Sequence, residues 1–341
     1  MNTDLLPTPA LDVLAIGRSG VDIYPLQRGV GLEDVSTFGK FLGGSPMNVA
    51  VAAANLRHST AIITAVGDDP FGRFVRAQMR ALGVYDTYVT TSSTLATPVT
   101  FCEIFPPDTF PLYFYREPKA PDLDISPADI PVDAVADAKI FWMTGTGLSD
   151  EPSYSAHVTA LRARPAGATT ILDLDYRSQL WPSADLVQDR LETALAYASV
   201  VIGNRGECRV ATGEDDPQRA ADALLERGAE LAIVKQGPAG TLAVTREETV
   251  TVPVTPVDVV NGLGAGDAFG GTLCHGLLSG WDLPHVVSAA STAGAIVCSR
   301  LECSTAMPTE PEIVATMRTL APEPIVEKRR NYDEKTKEEE R

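Results

Sequence analysis

None of the common nucleotide-binding fingerprints occurs in this chain. A G-x-x-x-x-G-K-[ST] string is missing, which excludes a P-loop, and so is the glycine loop, H-R-D and D-F-G set of the protein kinases. The nearest approach to a dinucleotide motif, Gly264-Ala265-Gly266-Asp267-Ala268-Phe269, lacks the third glycine of G-x-G-x-x-G. Cysteine is sparse: five thiols, at 102, 208, 274, 298 and 303, form no C-x-x-C pair, and an odd number excludes full internal pairing. Cys298 and Cys303 therefore read as small buried thiols rather than a redox pair. Histidines 58, 157, 275 and 285 have no ligand spacing, which argues against a transition-metal site. No apolar run is long enough to span a membrane, and Met1–Ala10 shows no basic-then-apolar leader. A reduced cytoplasm is the expected setting. Positive charge is also short: 28 Lys and Arg face 45 Asp and Glu, a net charge of −17, which argues against nucleic acid or anionic membranes as partners.

The remaining composition is ordinary for a soluble globular protein, with 44% hydrophobic and 21% charged residues in 341. That length suits one large α/β domain with a small appendage, or two modest domains.

The most informative stretch is Asn261-Gly262-Leu263-Gly264-Ala265-Gly266-Asp267-Ala268-Phe269-Gly270-Gly271. It sets one carboxylate behind glycine-rich backbone where a helical apolar pattern begins. Small residues let a ligand approach closely, and free N–H groups at a helix start attract anions. Asp267 would repel a phosphate, yet it is well placed to take a proton from a hydroxyl beside one. On this reading Gly264, Ala265 and Gly266 supply the anion hole and Asp267 the base, the minimum for moving a phosphoryl group onto an alcohol.

A second glycine cluster, Leu42-Gly43-Gly44-Ser45-Pro46-Met47-Asn48, opens an alanine-rich helix expected over Pro46–Leu56. Ser45 suits the N-cap and Pro46 the first helical position. Asn48 in the first turn presents an amide that both donates and accepts, as recognition of a polyol requires.

In this order and at this separation, the two clusters resemble the paired signatures of the PfkB (ribokinase-like) carbohydrate kinases, a likeness that runs from about Leu11 to about Pro308. The resemblance implies further assignments. Asp22, in Gly20-Val21-Asp22, matches the sugar-binding aspartate, joined on the sugar side by Gly43, Gly44 and Asn48. Asn204 and Glu207 match the N-x-x-E element near magnesium and the phosphates, with Glu207 reaching Mg2+ through water. Lys235, Gly237 and Gly240 match the strand-turn beside the nucleotide. ATP and Mg2+ are the implied cofactors, with a monovalent cation as a further expectation. That cation is in doubt because most members carry Asp-Thr-Thr or Asp-Thr-Val where this chain has Asn261-Gly262-Leu263.

Within the family, Phe101–Asp108, Phe110–Asp122 and Val260–Asp267 look like the branch that acts on 5-dehydro-2-deoxygluconate, a keto-sugar acid of myo-inositol catabolism. Arg116, after the aromatic strand Tyr113–Tyr115, offers a planar fork for the acid's carboxylate, or else an ion pair with Glu117. Asp175 and Arg177 resemble the D-x-N-x-R element of keto-deoxy-acid kinases and stand toward sugar or phosphate, with a structural ion pair as the alternative. Other acceptors also remain open: a 2-keto-3-deoxygluconate kinase or fructokinase, or a non-catalytic sugar-binding regulator on the same fold.

The pattern along the chain fits the implied fold, a three-layer αβα sandwich with a mainly parallel sheet and a small β-sheet lid. Leu11–Gly17 reads as a buried first strand. Short extended pieces at Val21–Tyr24, Phe38–Leu42, Pro98–Phe105 and Leu112–Tyr115 place the lid within 20–42 and 97–116, and the resemblance makes it a surface for a homodimer. Buried strands at Lys139–Met143, Thr169–Leu172, Ser199–Ile202 and Glu230–Val234 alternate with amphipathic stretches, the pattern of a parallel sheet under helices. Helices are expected over Ala265–Ser279 and Leu283–Ser299. The kinase domain is thus expected over 11–321, between a flexible 1–10 and a charged, solvated 322–341.

Overall fold

The computed structural model describes residues 10–329. The expectations for 1–10 and for the end of the charged tail fall largely outside them. Fifteen strands run in chain order: β1 Val13–Ile16, β2 Gly20–Pro25, β3 Phe38–Gly43, β4 Thr60–Gly67, β5 Val84–Tyr85, β6 Val89–Ser92, β7 Val99–Cys102, β8 Leu112–Tyr115, β9 Ile140–Thr144, β10 Thr169–Asp173, β11 Val200–Asn204, β12 Leu231–Lys235, β13 Thr241–Val244, β14 Glu248–Val252 and β15 Ile325–Lys328. Among the described residues ten α-helices accompany them: α1 Ser45–Asn55, α2 Pro70–Ala81, α3 Val132–Asp137, α4 Ser153–Ala163, α5 Ala184–Leu195, α6 Arg205–Thr212, α7 Pro217–Glu226, α8 Ala265–Leu278, α9 Leu283–Cys298 and α10 Glu310–Thr319.

Eleven strands form one sheet, in the order β15-β14-β13-β12-β11-β10-β9-β1-β4-β5, with β6 on the end of β4. Pairing is parallel from β5 to β12 and antiparallel beyond. The central strands are buried on both faces, so neighbouring residues enter opposite cores. Ala15, Ile62, Trp142 and Ile233 pack with α1, α8 and α9, while Leu14, Ile63, Met143 and Val234 pack with α4, α5 and α7. Several helix starts were written locally. Asp69 and Asp216 cap α2 and α7, each followed by a proline that needs no N–H partner.

Strand β1 has β4 on one side and β9 on the other, so the chain reverses its direction of travel across the sheet here. Ligands bind outside the carboxyl ends of strands at such a point. From this place the loop Gly17-Arg18-Ser19 leads into a second sheet of order β3-β2-β7-β8, which stands over the opening as the lid.

Two features depart from the expected outline. The antiparallel extension β13–β14 continues the parallel sheet, and β15, from the stretch assigned to solvated tail, pairs with β14 through Thr251↔Ile325 to Glu248↔Lys328. All of β15 is exposed, so backbone pairing rather than apolar burial holds it, and its sequence gives little sign of it.

Candidate active site

Helices α1 and α8 pack closely because α8 carries glycine where they touch: a Cβ on Gly271 would come within 2.3 Å of the Ala52 Cβ. This approach brings the first turns of both helices together. Ser45 Oγ donates to Asp267 Oδ1 at 2.7 Å, and Asn48 Nδ2 donates to Asp267 Oδ2 at 2.7 Å. The Ser304 hydroxyl sits against Asn48 Oδ1 and the Leu42 carbonyl, which orients the amide. Ser45 is therefore not the N-cap of α1. Gly44 holds that position and Ser45 is spent on Asp267. Asn48, expected to face the sugar, holds the carboxylate as well.

Gly264 caps α8 with φ +81°, a conformation glycine adopts without strain, and a side chain there would meet Cys303 Sγ at 2.7 Å. The N–H groups that follow have no intrahelical acceptors and sit at the positive end of the helix. Asp267 is in this first turn. Burial raises its pKa, and the neighbouring Asp175 adds to this, against the pull of the Asn48 and Ser45 hydrogen bonds and of Lys235. The result is a carboxyl held above the ordinary aspartate range.

The surrounding cleft has a volume of about 340 Å³. Its floor comes from the carboxyl ends of β10, β11 and β12. Lys235 Nζ lies 3.8 Å from Asp173 Oδ2, and Glu207 and Asp175 are close by. Burial and the repulsion of Glu207, Asp175 and Asp267 raise Asp173 to about 7, although Lys235 opposes the shift. Burial and Asp175 raise Glu207 as well, against Lys235. Burial would lower Lys235, yet the Asp173, Glu207 and Asp267 carboxylates outweigh it and keep the ammonium charged. Asn204 and Glu207 make a reciprocal cap on α6: Asn204 N–H donates to Glu207 Oε2 at 2.7 Å and Glu207 N–H to Asn204 Oδ1 at 2.9 Å. Arg177 Nη2 pairs with Asp175 Oδ1 at 2.8 Å, and Asp175 sits at φ +29°, a backbone strain found at functional sites.

The lid supplies the other wall. Tyr24 OH donates to Asp22 Oδ2 at 3.0 Å and lies 2.9 Å from Cys303 Sγ, while Asp22 Oδ1 is buried without a hydrogen-bond partner. Burial raises the Asp22 pKa despite Arg18. Arg116 pairs with Asp122 at 3.3 Å, and not with Glu117.

Asp22, Gly44, Asn48, Arg116, Asp175, Arg177, Asn204, Glu207, Lys235, Gly237, Gly264, Gly266 and Asp267 thus share one cleft. Gly43, Ala265 and Gly240 do not line it. Gly43 lies behind Asp22, where a Cβ would come 2.0 Å from the carboxylate carbon, and Gly240 serves the β12–β13 turn, tight against Val252 O. The cleft is also lined by Arg18, Tyr24, Thr100, Phe114 and Cys303, to which the sequence gave no site role, and by Asp173, which shares its strand end with Asp175 and Arg177. Asp173 carried a usable signal, a carboxylate at a strand's carboxyl end. Arg18 carried none beyond its place after the first strand.

Residues 10–310 match the model of the pfkB family carbohydrate kinases. A 5-dehydro-2-deoxygluconokinase of Geobacillus thermodenitrificans is 33% identical over 310 residues, covering 89% of this chain and 92% of that protein. Among solved structures, the fructokinase of Xylella fastidiosa with bound ATP superposes at TM-score 0.78 with 26% identity, over 90% of this chain and 98% of its own. An E. coli protein described as ribokinase II, in complex with ATP and Mg2+, reaches 0.83 at 23% identity, over 90% and 99%, and shares the fold. The three-layer architecture with its lid is therefore the ribokinase-like one, and the chain is a phosphotransferase that belongs to the pfkB family of carbohydrate kinases.

Proposed function

We propose that this kinase transfers the γ-phosphoryl of ATP to the primary hydroxyl of 5-dehydro-2-deoxygluconate, a keto-sugar acid. The observation that carries the chemistry is the Asp267 carboxylate, held on both oxygens by Ser45 and Asn48 at the start of α8, in one cleft with the unpartnered Asp22 Oδ1. The acceptor's hydroxyls approach Asp22, and Asp267 takes the proton from the attacking oxygen. The N–H groups at Gly264, Ala265 and Gly266 receive the charge that develops on the phosphoryl oxygens. Support for this acceptor comes from the 33% identical relative of that name.

Lys235, Asn204 and Gly237 are assigned to the nucleotide side, with Gly240 shaping the turn behind them and Arg177 and Asp175 beside the phosphates. The floor fits Mg2+ carried with the nucleotide. Its carboxylates repel one another, yet among the described residues no three His, Cys, Asp or Glu groups close on one point, so contact through water from Glu207 suits it. Mg2+ bound there would neutralise phosphate charge. The residues do not fit a monovalent cation beside the glycine loop. Asn261 is fully buried, its amide N–H donates to the Leu301 carbonyl at 2.8 Å, and its Oδ1 accepts from Leu263 N–H at 3.0 Å. Tyr113 and Tyr115, exposed on the lid, support a homodimer through these strands.

The test is ATP-dependent turnover with magnesium on 5-dehydro-2-deoxygluconate, 2-keto-3-deoxygluconate, fructose and ribose. The expected result is the highest kcat/KM on the first. A higher value on another acceptor keeps the catalytic assignment and replaces the substrate.

A further inference from the structure

We propose that Arg18 reads the carboxylate of the acceptor and so sets a preference for sugar acids, an inference that rests on the kinase reading above. Arg18 lies in the loop between β1 and β2, where the main sheet hands the chain to the lid. Its side chain is 15% exposed and lines the cleft beside Asp22. Nη1 donates to Thr100 Oγ1 at 3.1 Å, and the guanidinium lies 5.7 Å from the centroid of the Phe114 ring. The nearest carboxylate oxygen, Asp22 Oδ1, is 3.9 Å away, beyond hydrogen-bond distance. Most of the five N–H donors of this fork are thus unused within the protein.

The other cleft cations are differently placed. Arg116, whose sequence context first pointed to this role, is 8% exposed and faces Asp122, itself 3% exposed. Arg177 is bonded to Asp175 at 2.8 Å, and Lys235 stands among the floor carboxylates. Arg18 is the guanidinium lining the cleft that has no carboxylate within hydrogen-bond distance, and it adjoins the one acceptor oxygen of Asp22 that has no partner. A polyol acid answers both: a hydroxyl donates to Asp22 Oδ1 and the carboxylate accepts from the Arg18 fork, with Phe114 beside the guanidinium. The planar fork suits two carboxylate oxygens at once, which lysine cannot reproduce.

Steady-state kinetics on the acid and on a neutral ketose, for the wild type, Arg18→Gln, Arg18→Lys and Arg116→Gln, test this. Arg18→Gln is expected to lower kcat/KM for the acid about 100-fold, mostly through KM, and to change the neutral sugar less than about threefold. Arg18→Lys should recover only part of the loss, and it carries the test alone if the glutamine variant does not fold. Equal losses on both acceptors, no loss on either, or a selective loss in Arg116→Gln instead would overturn the assignment while leaving the acid as substrate. A wild-type enzyme that prefers the neutral ketose would overturn the acceptor reading and this inference together, whatever the variants do.

Discussion

The lid side and the floor of the cleft handle charge in opposite ways. On the lid side charge is sparse and only partly paired: Tyr24 bonds one oxygen of Asp22 and Arg116 faces Asp122, while Asp22 Oδ1 and most of the Arg18 donors stay open. On the floor, Asp173, Asp175 and Glu207 gather around Lys235 and Arg177, and burial, with the repulsion of the neighbouring carboxylates, lifts Asp173 to about 7. The first arrangement is built to receive a neutral or singly charged molecule by hydrogen bonding. The second holds more carboxylates than cations, and on the proposed reading a magnesium-bound nucleotide would supply positive charge there.

Breaking the junction between these halves should have the largest effect. Asp267→Asn is expected to reduce kcat about 10²–10⁴-fold with little change in either KM. Because burial raises the Asp267 pKa, the wild type should also lose kcat/KM on the acid side at a pH above the ordinary aspartate range, as the base becomes protonated. A variant with near-normal kcat would remove Asp267 from the role.

The floor can be probed through stability. A carboxyl whose folded pKa is raised binds more protons folded than unfolded between about pH 4 and 7, so its contribution to stability falls as pH rises through that range. Asp173→Asn should therefore stabilise the free protein by about 1–3 kcal/mol at pH 8 and by much less at pH 5, seen as a pH-dependent change in Tm. A Tm gain that is equal at both pH values would mean Asp173 is not the titrating group.

A smaller effect concerns protons. If magnesium replaces them on the floor, binding of Mg-nucleotide near pH 7 should release up to about one proton, measured by calorimetry in buffers of different ionisation enthalpy. Buffer-independent heats would show the floor already ionised. The smallest change is expected at the glycine loop. Wild-type turnover should be alike in potassium and in a bulky organic cation, because Asn261 bonds Leu301 and Leu263 directly. A several-fold potassium activation would show that this amide does not stand in for an ion.

Much of this contrast could be read in the chain, and the reason is locality. Helices over Ala265–Leu278 and Leu283–Cys298 start and stop within a residue or so of expectation, since caps and glycines lie next to what they control. The strand Leu112–Tyr115 follows from its own run of aromatic residues. Asp267 stood out for the same reason. What was hidden depends on distant partners: Ser45 looks like a helix cap until α8 brings a carboxylate to it, and Arg18 gains meaning only once Thr100 and Phe114 fold over it. Strand β15 is the same case in backbone form.

That last strand has a practical consequence. Val250 of β14 is buried, and from Glu248 to Thr251 the outer edge of this strand is paired by β15, whose own side chains, such as Ile325 at 56%, are exposed. Cutting the chain after Thr319 removes no residue that lines the cleft and is expected to open a sheet edge that another chain can extend. The shortened protein is therefore expected to lose solubility before activity, as light scattering would reveal. The segment's role is closer to that of a cover against self-association than to that of a solvated end.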